Sequence, residues 1–331
     1  MSQANIYPLR FEPICQYRLW GARRLAGWIN ADLPGDGPIG EAWLLSDRGE
    51  FPSRVAHGDL RGTTIAELIA RSPEQILGRL ARRFRRFPLL LKFLDVEKML
   101  SVQVHPPDNR TDLIPAGDTG KTEAWVVLEA GPESRVYAGL KPGVAADNLR
   151  AISEHNADDC LASFTPVPGQ TVFIAAGTVH SIGGGIVVFE VQENSDVTFR
   201  LYDWNHVDPK TGQKRPLQVE QALACVDFAQ GPIRPPPPII DAQQPMLRER
   251  IVDCAHFRMW RIASATPFDV GETDAPRVLV CIAGTGVIEY DGRDFVMEKG
   301  AVMLLPAALG LCRLRPAGAA TLLEIAVGEL P

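Results

Sequence analysis

The sequence lacks several features that would place it in a simple structural class. Its six cysteines form no C-x-x-C pair, and its start has no basic-then-apolar region. No apolar run approaches the roughly 20 residues that span a bilayer. There is no basic excess, because 34 Lys and Arg residues stand against 40 Asp and Glu residues, for a formal charge of −6. We therefore expect no membrane span, no secretory signal and no general nucleic-acid binding.

Length and composition indicate a turn-rich globular protein. A chain of 331 residues buries enough surface to fold without disulfides and corresponds to about two domains. With 29 Gly and 27 Pro, it favours short strands over a helical bundle. The cysteines are interpreted as reduced, mostly buried thiols of a cytoplasmic protein.

A proline run divides the chain. Pro235 to Pro238 are consecutive, and such a run neither continues a helix nor donates hydrogen bonds to a sheet. We therefore predict a first domain over 1–230, a Pro-rich linker over 231–245 and a second domain over 246–331.

Three segments have helical spacing of apolar residues, namely 63–84, 144–161 and 216–228. Most of the rest consists of short β-branched or aromatic runs between turns, and Asp291-Gly292 is a strong hairpin signal. Both halves are therefore predicted as small β-sandwiches or barrels, of which a jelly roll is one kind.

Two short segments carry polar side chains at alternate positions. On a strand, Ser101, Gln103 and His105 share one face, and so do Lys121 and Glu123. Each pattern has an ordinary alternative: a hydrogen-bonded polar face at a sheet edge for the first, and a surface ion pair for the second.

A fourth candidate ligand, His180, follows an apolar strand in a glycine-rich turn, where a plain loop residue is the alternative. Together Gln103, His105, Glu123 and His180 make a mixed nitrogen and oxygen set that suits Zn²⁺ or another first-row divalent ion. Cysteine is absent from this set, which argues against a closed structural zinc site and favours a Lewis-acid site.

The segment 190–204 is the densest polar stretch. If it forms one strand, Asp196 and Arg200 face the same side, either as a surface ion pair or as an arginine held by a carboxylate near an anionic substrate. The net negative charge leaves room for one small cationic pocket.

These residues, in this order, resemble the type I phosphomannose isomerases in their short bacterial form. The similarity covers most of the chain and runs through seven fragments: Tyr17–Gly21, Gly40–Trp43, Pro88–Lys92, Ser101–Pro106, Gly120–Glu123, Ala176–His180 and Asn194–Arg200. The family interconverts mannose 6-phosphate and fructose 6-phosphate and carries one metal, usually zinc, in a cupin-type jelly roll.

The resemblance implies a role for each matching residue. It implies that Gln103, His105, Glu123 and His180 bind the metal and that Arg200 and Lys121 are catalytic. Lys92 and Ser101 match positions that bind the substrate's phosphate or sugar, and Asp196 matches a carboxylate near the arginine. The proton moves between C1 and C2 through an enediol or enediolate, and Glu193, Asp196 and a metal-bound water all remain candidate bases.

The match has departures. Ala175 replaces a proline usual before the Ala-Gly-Thr-His turn, which changes backbone rigidity rather than ligation. The second half echoes a cupin, but its one histidine is His256, so we expect a metal-free, packing domain. The remaining histidines, His57, His155 and His206, are interpreted as structural or surface residues.

Two other functions stay open: a cupin metalloenzyme that acts on another sugar phosphate, and a non-catalytic sugar-phosphate sensor. In either case we expect a small-molecule sugar-phosphate partner, no nucleic acid, no membrane, and a monomer or weak homodimer.

Overall fold

The computed structural model describes residues 6–152 and 157–328, and its first half is built from two facing antiparallel sheets. A six-stranded sheet has the order β1-β2-β5-β12-β7-β10, and a five-stranded sheet has the order β13-β6-β11-β8-β9. The strands are β1 (Ile14–Ala22), β2 (Ile39–Leu45), β3 (Asp47–Arg48), β4 (Phe51–Pro52), β5 (Leu89–Val96), β6 (Val102–Val104), β7 (Glu123–Ala130), β8 (Arg135–Leu140), β9 (Leu161–Phe164), β10 (Thr171–Ile174), β11 (His180–Gly183), β12 (Ile186–Glu193) and β13 (Phe199–Tyr202).

The second half repeats this style with a six-stranded sheet, β14-β15-β16-β23-β18-β21, and a four-stranded sheet, β17-β22-β19-β20. Its strands are β14 (Ile239–Ala242), β15 (Leu247–Asp253), β16 (Phe257–Ser264), β17 (Phe268–Gly271), β18 (Arg277–Ala283), β19 (Thr285–Tyr290), β20 (Arg293–Glu298), β21 (Val302–Leu305), β22 (Leu311–Pro316) and β23 (Ala320–Val327). The prediction of a mainly β protein with two cupin-type jelly rolls is confirmed.

The helices are few and short: α1 (Ala26–Ile29), α2 (Ile65–Arg71), α3 (Pro73–Leu77), α4 (Ala146–Arg150), α5 (Ala157–Cys160) and α6 (Val219–Cys225), with 3₁₀ turns at Gly78–Arg82 and Ala307–Leu309. Helices are confirmed within 63–84 and 216–228. A single helix over 144–161 is wrong, because Leu161 already begins β9. Residues 153–156, and with them His155, lie outside the described residues.

The six-stranded sheet of the first half is covered on both sides. Alternate side chains of β12 point in opposite directions: Val188 joins a core between the two sheets, whereas Phe189 and Val191 join a core that extends into the second half. We call these the inner face, toward the five-stranded sheet, and the outer face. Because both faces are buried, the strands read as nearly continuous apolar runs, and a charged residue within them needs a partner.

The predicted linker is only partly irregular. Ile239–Ala242, inside 231–245, forms β14 and pairs with β15, and the assignment of 231–245 as a linker stays a prediction. One hydrophobic cluster contains residues of both halves, and Leu9 forms a bridge with Leu304. The division at 1–230 and 246–331 stays a prediction.

Two further expectations concern single features of the chain. All six cysteines are described, and all are free thiols, four of them buried. In the two described ranges, no helix combines the length and the apolarity that crossing a membrane requires.

The predicted hairpin turn is present, with Tyr290 paired to Arg293 and with positive φ angles at Asp291 (49°) and Gly292 (69°). We expect Gly292→Ala to lower the free energy of unfolding by about 1 kcal/mol, because an L residue is strained in the left-handed region. A Cβ at this position meets no atom within 4 Å, so the penalty comes from the backbone alone. Urea unfolding followed by fluorescence measures it.

Gly27→Ala is the matched control. Gly27 lies exposed in α1, and a Cβ there also meets nothing within 4 Å, but its φ is not positive. We expect its stability to be unchanged or to rise by up to about 1 kcal/mol. Equal unfolding midpoints for the two variants would contradict the backbone explanation.

Candidate active site

A cavity of about 370 Å³ opens between the two sheets of the first half. Its volume is in the range that holds a small ligand. The predicted residues Lys92, Gln103, Lys121, Glu123, Asp196 and Arg200 all line it. The structure therefore brings together most of the residues selected from the sequence.

Strand register explains why residues distant in sequence meet here. Gln103 on β6 is directly opposite His180 on β11 and also opposite Arg200 on β13. Glu123 begins β7 in the other sheet, whose inner face looks toward this strand trio. The pairing of β6 thus places a candidate ligand and the candidate arginine on either side of Gln103.

His105, Glu123 and His180 form a compact buried cluster whose ligand atoms lie within 4.8 Å of one another. His105 Nε2 is 3.6 Å from Glu123 Oε2, and His180 Nε2 is 3.3 Å from Glu123 Oε1. A backbone carbonyl holds each ring at the nitrogen that points away from Glu123. His105 Nδ1 contacts the Val197 carbonyl at 2.8 Å, and His180 Nδ1 contacts the Thr178 carbonyl at 2.9 Å. Such contacts place the proton on Nδ1 and leave the Nε2 lone pairs directed at Glu123.

The protonation states of this cluster suit a divalent metal. Burial, together with the charge of Lys121, lowers the pKa of His105 to about 3, and burial lowers the pKa of His180. Burial alone would raise the pKa of Glu123, but Lys121 and the histidines hold it well below its usual value. Metal binding requires neutral imidazoles and an ionised carboxylate. Glu123 Oε1 also has no hydrogen-bond partner although it is buried, so the residues fit a metal.

Gln103 and Ser101 lie beside this cluster as one unit. Ser101 Oγ donates to Gln103 Oε1 at 2.9 Å, and Gln103 Nε2 is 3.2 Å from His180 Nε2. The shared face predicted for Ser101, Gln103 and His105 is therefore present. In this arrangement Ser101 orients Gln103, and the role of Gln103 as a fourth ligand stays a prediction.

Lys121 is buried beside the same carboxylate. Its Nζ is 2.5 Å from Glu123 Oε2 and 3.1 Å from His105 Nε2. The surface ion pair considered for Lys121 and Glu123 is wrong, because their side chains are only 5% and 1% exposed. A cation donor is thus held at the inner end of the cavity.

Lys92 is paired more completely than the sequence suggested. It is buried on the inner face, 3.3 Å from a Glu190 oxygen and 3.9 Å from a Glu41 oxygen, and it lies over the ring of Trp43. Burial would lower the pKa of Lys92, but the two carboxylates raise it above its usual value. Its charge is therefore already balanced by protein groups.

Sequence reasoning missed Arg18, Glu41 and Glu190 as parts of this site. Arg18 forms a two-point ion pair with Glu41, whose buried carboxyl has its pKa lowered to about 2 by Lys92 and Arg18. Glu190 accepts from Trp125 Nε1 at 2.9 Å, and burial raises its pKa. The available signal was a charged residue inside an apolar strand, as in Ile186–Glu193.

The cavity is not the cationic pocket that was expected. Acidic and basic side chains line it in equal numbers, and most of the cations form ion pairs with neighbouring carboxylates. The basic residues are Arg18, Lys92, Lys121, Arg200 and Arg215, and the acidic residues are Glu41, Glu123, Glu190, Asp196 and Asp208.

Arg200 is the exception to this pairing. The predicted continuous strand over 190–204 is interrupted between β12 and β13, yet Asp196 and Arg200 both reach the cavity. Among the described residues the Arg200 guanidinium forms no ion pair, and its buried Nε has no hydrogen-bond partner. Burial lowers the pKa of Arg200, although it remains a cation at neutral pH. Its unengaged N–H groups can bind an anion.

The structure does not bring Glu193 to the cavity. On β12 the residues on either side of Val191 alternate with it, so Glu190 faces inward whereas Glu193 shares the outer face. Its oxygens contact the Thr122 amide at 2.8 Å and His256 Nδ1 at 3.1 Å instead. Glu193 is therefore removed from the candidate bases.

Comparisons with known proteins agree with this arrangement. Residues 9–135 match the family model for the catalytic domain of type I phosphomannose isomerase. The mannose-6-phosphate isomerase ManA of Bacillus subtilis is 31% identical over 313 residues, which are 92% of this chain and 94% of that protein. The mannose-6-phosphate isomerase of Streptococcus mutans is 30% identical and covers 90% of this chain and 92% of its own length.

Solved structures support the fold. The structure of mannose 6-phosphate isomerase from Bacillus subtilis superimposes with a TM-score of 0.87 at 24% identity, covering 97% of this chain and 99% of the other. A putative mannosephosphate isomerase from Archaeoglobus fulgidus gives 0.78 at 19% identity, covering 99% of this chain and 100% of the other. With the extent and identity of the sequence matches, this chain belongs to the type I phosphomannose isomerase family, a family of metalloenzymes.

Proposed function

We propose that this chain is an aldose–ketose isomerase that interconverts mannose 6-phosphate and fructose 6-phosphate. The observation that carries the proposal is the buried cluster of His105, Glu123 and His180 at the inner end of a cavity that also presents Lys121 and Arg200. The family membership and the names of the relatives support the same reaction.

The metal is proposed to be one Zn²⁺ ion per chain, held by His105, Glu123 and His180, with Gln103 as a further ligand. Two imidazoles and a carboxylate are ligands that zinc accepts, and a ligand set without cysteine is more typical of catalytic than of structural zinc sites. When bound, the ion supplies Lewis-acid stabilisation of the oxygen on which negative charge develops.

The cationic side chains have complementary tasks. Arg200, with its unpaired guanidinium, binds the anionic substrate and orients it. The Lys121 ammonium, fixed beside Glu123, donates a hydrogen bond to the oxygen that becomes negative during enediolate formation. Lys92, whose charge is balanced by Glu41 and Glu190, acts on the sugar hydroxyls rather than on the phosphate.

Asp196 is proposed as the base that moves the proton between C1 and C2. It is an exposed carboxylate on the cavity wall, near Arg200 in sequence. Glu190 also lines the cavity, but Lys92 at 3.3 Å and Trp125 Nε1 at 2.9 Å already engage its oxygens, so it is less free to take a proton from the substrate. A cytoplasmic location and a monomeric or weakly dimeric state remain predictions.

Removal of the metal is the first test. We expect a chelator to abolish mannose 6-phosphate turnover and Zn²⁺ to restore it, as measured in a coupled assay with glucose 6-phosphate and other phosphosugars as comparison substrates. A zinc-loaded protein that binds mannose 6-phosphate without turnover would support the sensor instead. A preference for a different phosphosugar would support the other cupin metalloenzyme.

Substitution of the unpaired arginine is the second test. We expect Arg200→Ala to lower kcat/KM by about 100-fold, because it removes charge-assisted hydrogen bonds to the anion. The zinc content is expected to be unchanged. Arg313→Ala is the control, since Arg313 on β22 is exposed and pairs with Asp269. An unchanged rate in Arg200→Ala would contradict the role of this residue.

The base assignment is tested by two isosteric changes. We expect Asp196→Asn to lower kcat by about 100-fold, because the loss of a general base costs at least that much. For Glu190→Gln we expect a loss of only about tenfold, through disturbed placement of Lys92. Steady-state kinetics at equal zinc content decide the matter. A larger loss in Glu190→Gln than in Asp196→Asn would reverse the assignment.

A further inference from the structure

The second half of the chain contributes one histidine, and it contacts the first half at a specific point. His256 lies immediately before β16, and its Nδ1 is 3.1 Å from Glu193 Oε2 at the end of β12. Glu193 is buried, and His256 is partly buried. This is an ion pair across the boundary of the two halves, on the outer face of the six-stranded sheet.

The other oxygen of Glu193 is also engaged. Glu193 Oε1 accepts from the Thr122 amide at 2.8 Å, and the Glu193 amide donates to the Thr122 carbonyl at 3.1 Å. Thr122 stands between Lys121 and Glu123, whose side chains point inward to the metal cluster. Glu193 is thus hydrogen-bonded to the residue that stands between Lys121 and Glu123, although its own side chain lies on the opposite face of the sheet.

The whole approach to β7 is fixed in this way. The Gly120 amide donates to Asp108 Oδ1 at 2.8 Å, and the Lys121 amide donates to the Pro106 carbonyl at 3.1 Å. With the Thr122 amide, three successive N–H groups have acceptors. A Cβ on Gly120 would come within 2.6 Å of the Asp108 amide nitrogen, so the backbone is also closely packed there.

His256 stabilises the Glu193 carboxylate, which accepts the hydrogen bond from the Thr122 amide. The hydrogen bond to Glu193 raises the pKa of His256, and a protonated imidazole compensates the buried carboxylate. Without that partner the carboxylate would have to take up a proton or draw in water, and either change weakens its bond to the Thr122 amide. Asp108, close to the same pair, adds a second negative charge that the histidine balances.

We propose that His256 is a positioning residue of the active site, which holds Glu193 and through it the segment that carries Lys121 and Glu123. The second half of the chain would then act on the metal cluster at a distance, through one hydrogen-bonded connection across the sheet. The kinetic part of this proposal rests on the isomerase function proposed above.

The test compares His256→Ala with His256→Asn. In His256→Ala we expect about tenfold weaker Zn²⁺ affinity, as for other residues that support metal ligands, measured by competition with a chromophoric chelator. We expect kcat to fall by about tenfold and KM to stay within about twofold, because Arg200 is untouched. His256→Asn should recover most of both losses, because its Nδ2 can occupy the place of the imidazole Nδ1 and donate to Glu193.

Arg258→Ala is the matched control. Arg258 is two residues away, is exposed, and pairs with Asp253 within the second half. We expect its zinc affinity and kcat to be those of the unaltered protein, with thermal unfolding recorded for all variants. Equal losses in Arg258→Ala would indicate a general loosening of the second half and would overturn the proposal, as would equal losses in His256→Ala and His256→Asn.

Two other results would also overturn it. One is unaltered zinc affinity in His256→Ala. The other is a second divalent ion per chain that is lost in His256→Ala, because Asp108, Glu193 and His256 would then be a cation site. Failure of the isomerase function is separable: a protein that does not turn over mannose 6-phosphate still allows the zinc affinities to be compared.

Discussion

The structure depends on one sheet, the six-stranded sheet of the first half, that is covered on both faces. In the six-stranded sheet of the first half, β2, β5 and β12 are buried along their whole length. Their inner face looks toward the five-stranded sheet and the cavity, and their outer face packs into the core shared with the second half. On β12, Glu190 and Glu193 are three positions apart and so lie on opposite faces, one against Lys92 and the other against His256. The inner face bears the candidate catalytic side chains, and contacts on the outer face fix the backbone from which those side chains project.

Burial of this many charges requires mutual compensation. Glu41 forms ion pairs with both Arg18 and Lys92, and Lys92 also pairs with Glu190, so these groups form one connected network. Removing one member of such a network leaves another charge buried and unpaired, which is far more costly than the net gain from forming the pair. The network therefore fixes the polar wall before any substrate arrives. Arg200 stands outside it, and this is why its guanidinium is available to an anion.

The local features were predictable from the sequence, because they depend on neighbours in the chain. The Asp291-Gly292 turn follows from its backbone preference, and the shared face of Gln103 and His105 follows from strand alternation. Resemblance to a family brought Lys121 and Arg200 into the same site. The outer-face position of Glu193 follows from the alternation of β12, which places it with Phe189 and Val191. Its contact with His256 was not predictable, because that contact depends on how the second half packs against this sheet. Pairing of Glu190 with Lys92 required the register of β5 against β12, which no local pattern specifies.

The register of β6 has a further consequence for how this sequence can change. Gln103 is flanked across the sheet by His180 on one side and Arg200 on the other, so one strand of three residues aligns the metal cluster with the anion donor. A single inserted or deleted residue in β6 would move the Gln103 side chain to the other face of the sheet. It would also change the register of β6 against both His180 and Arg200. Length variation among descendants of this sequence should therefore accumulate in the turns, while β6 admits substitution but no change in length.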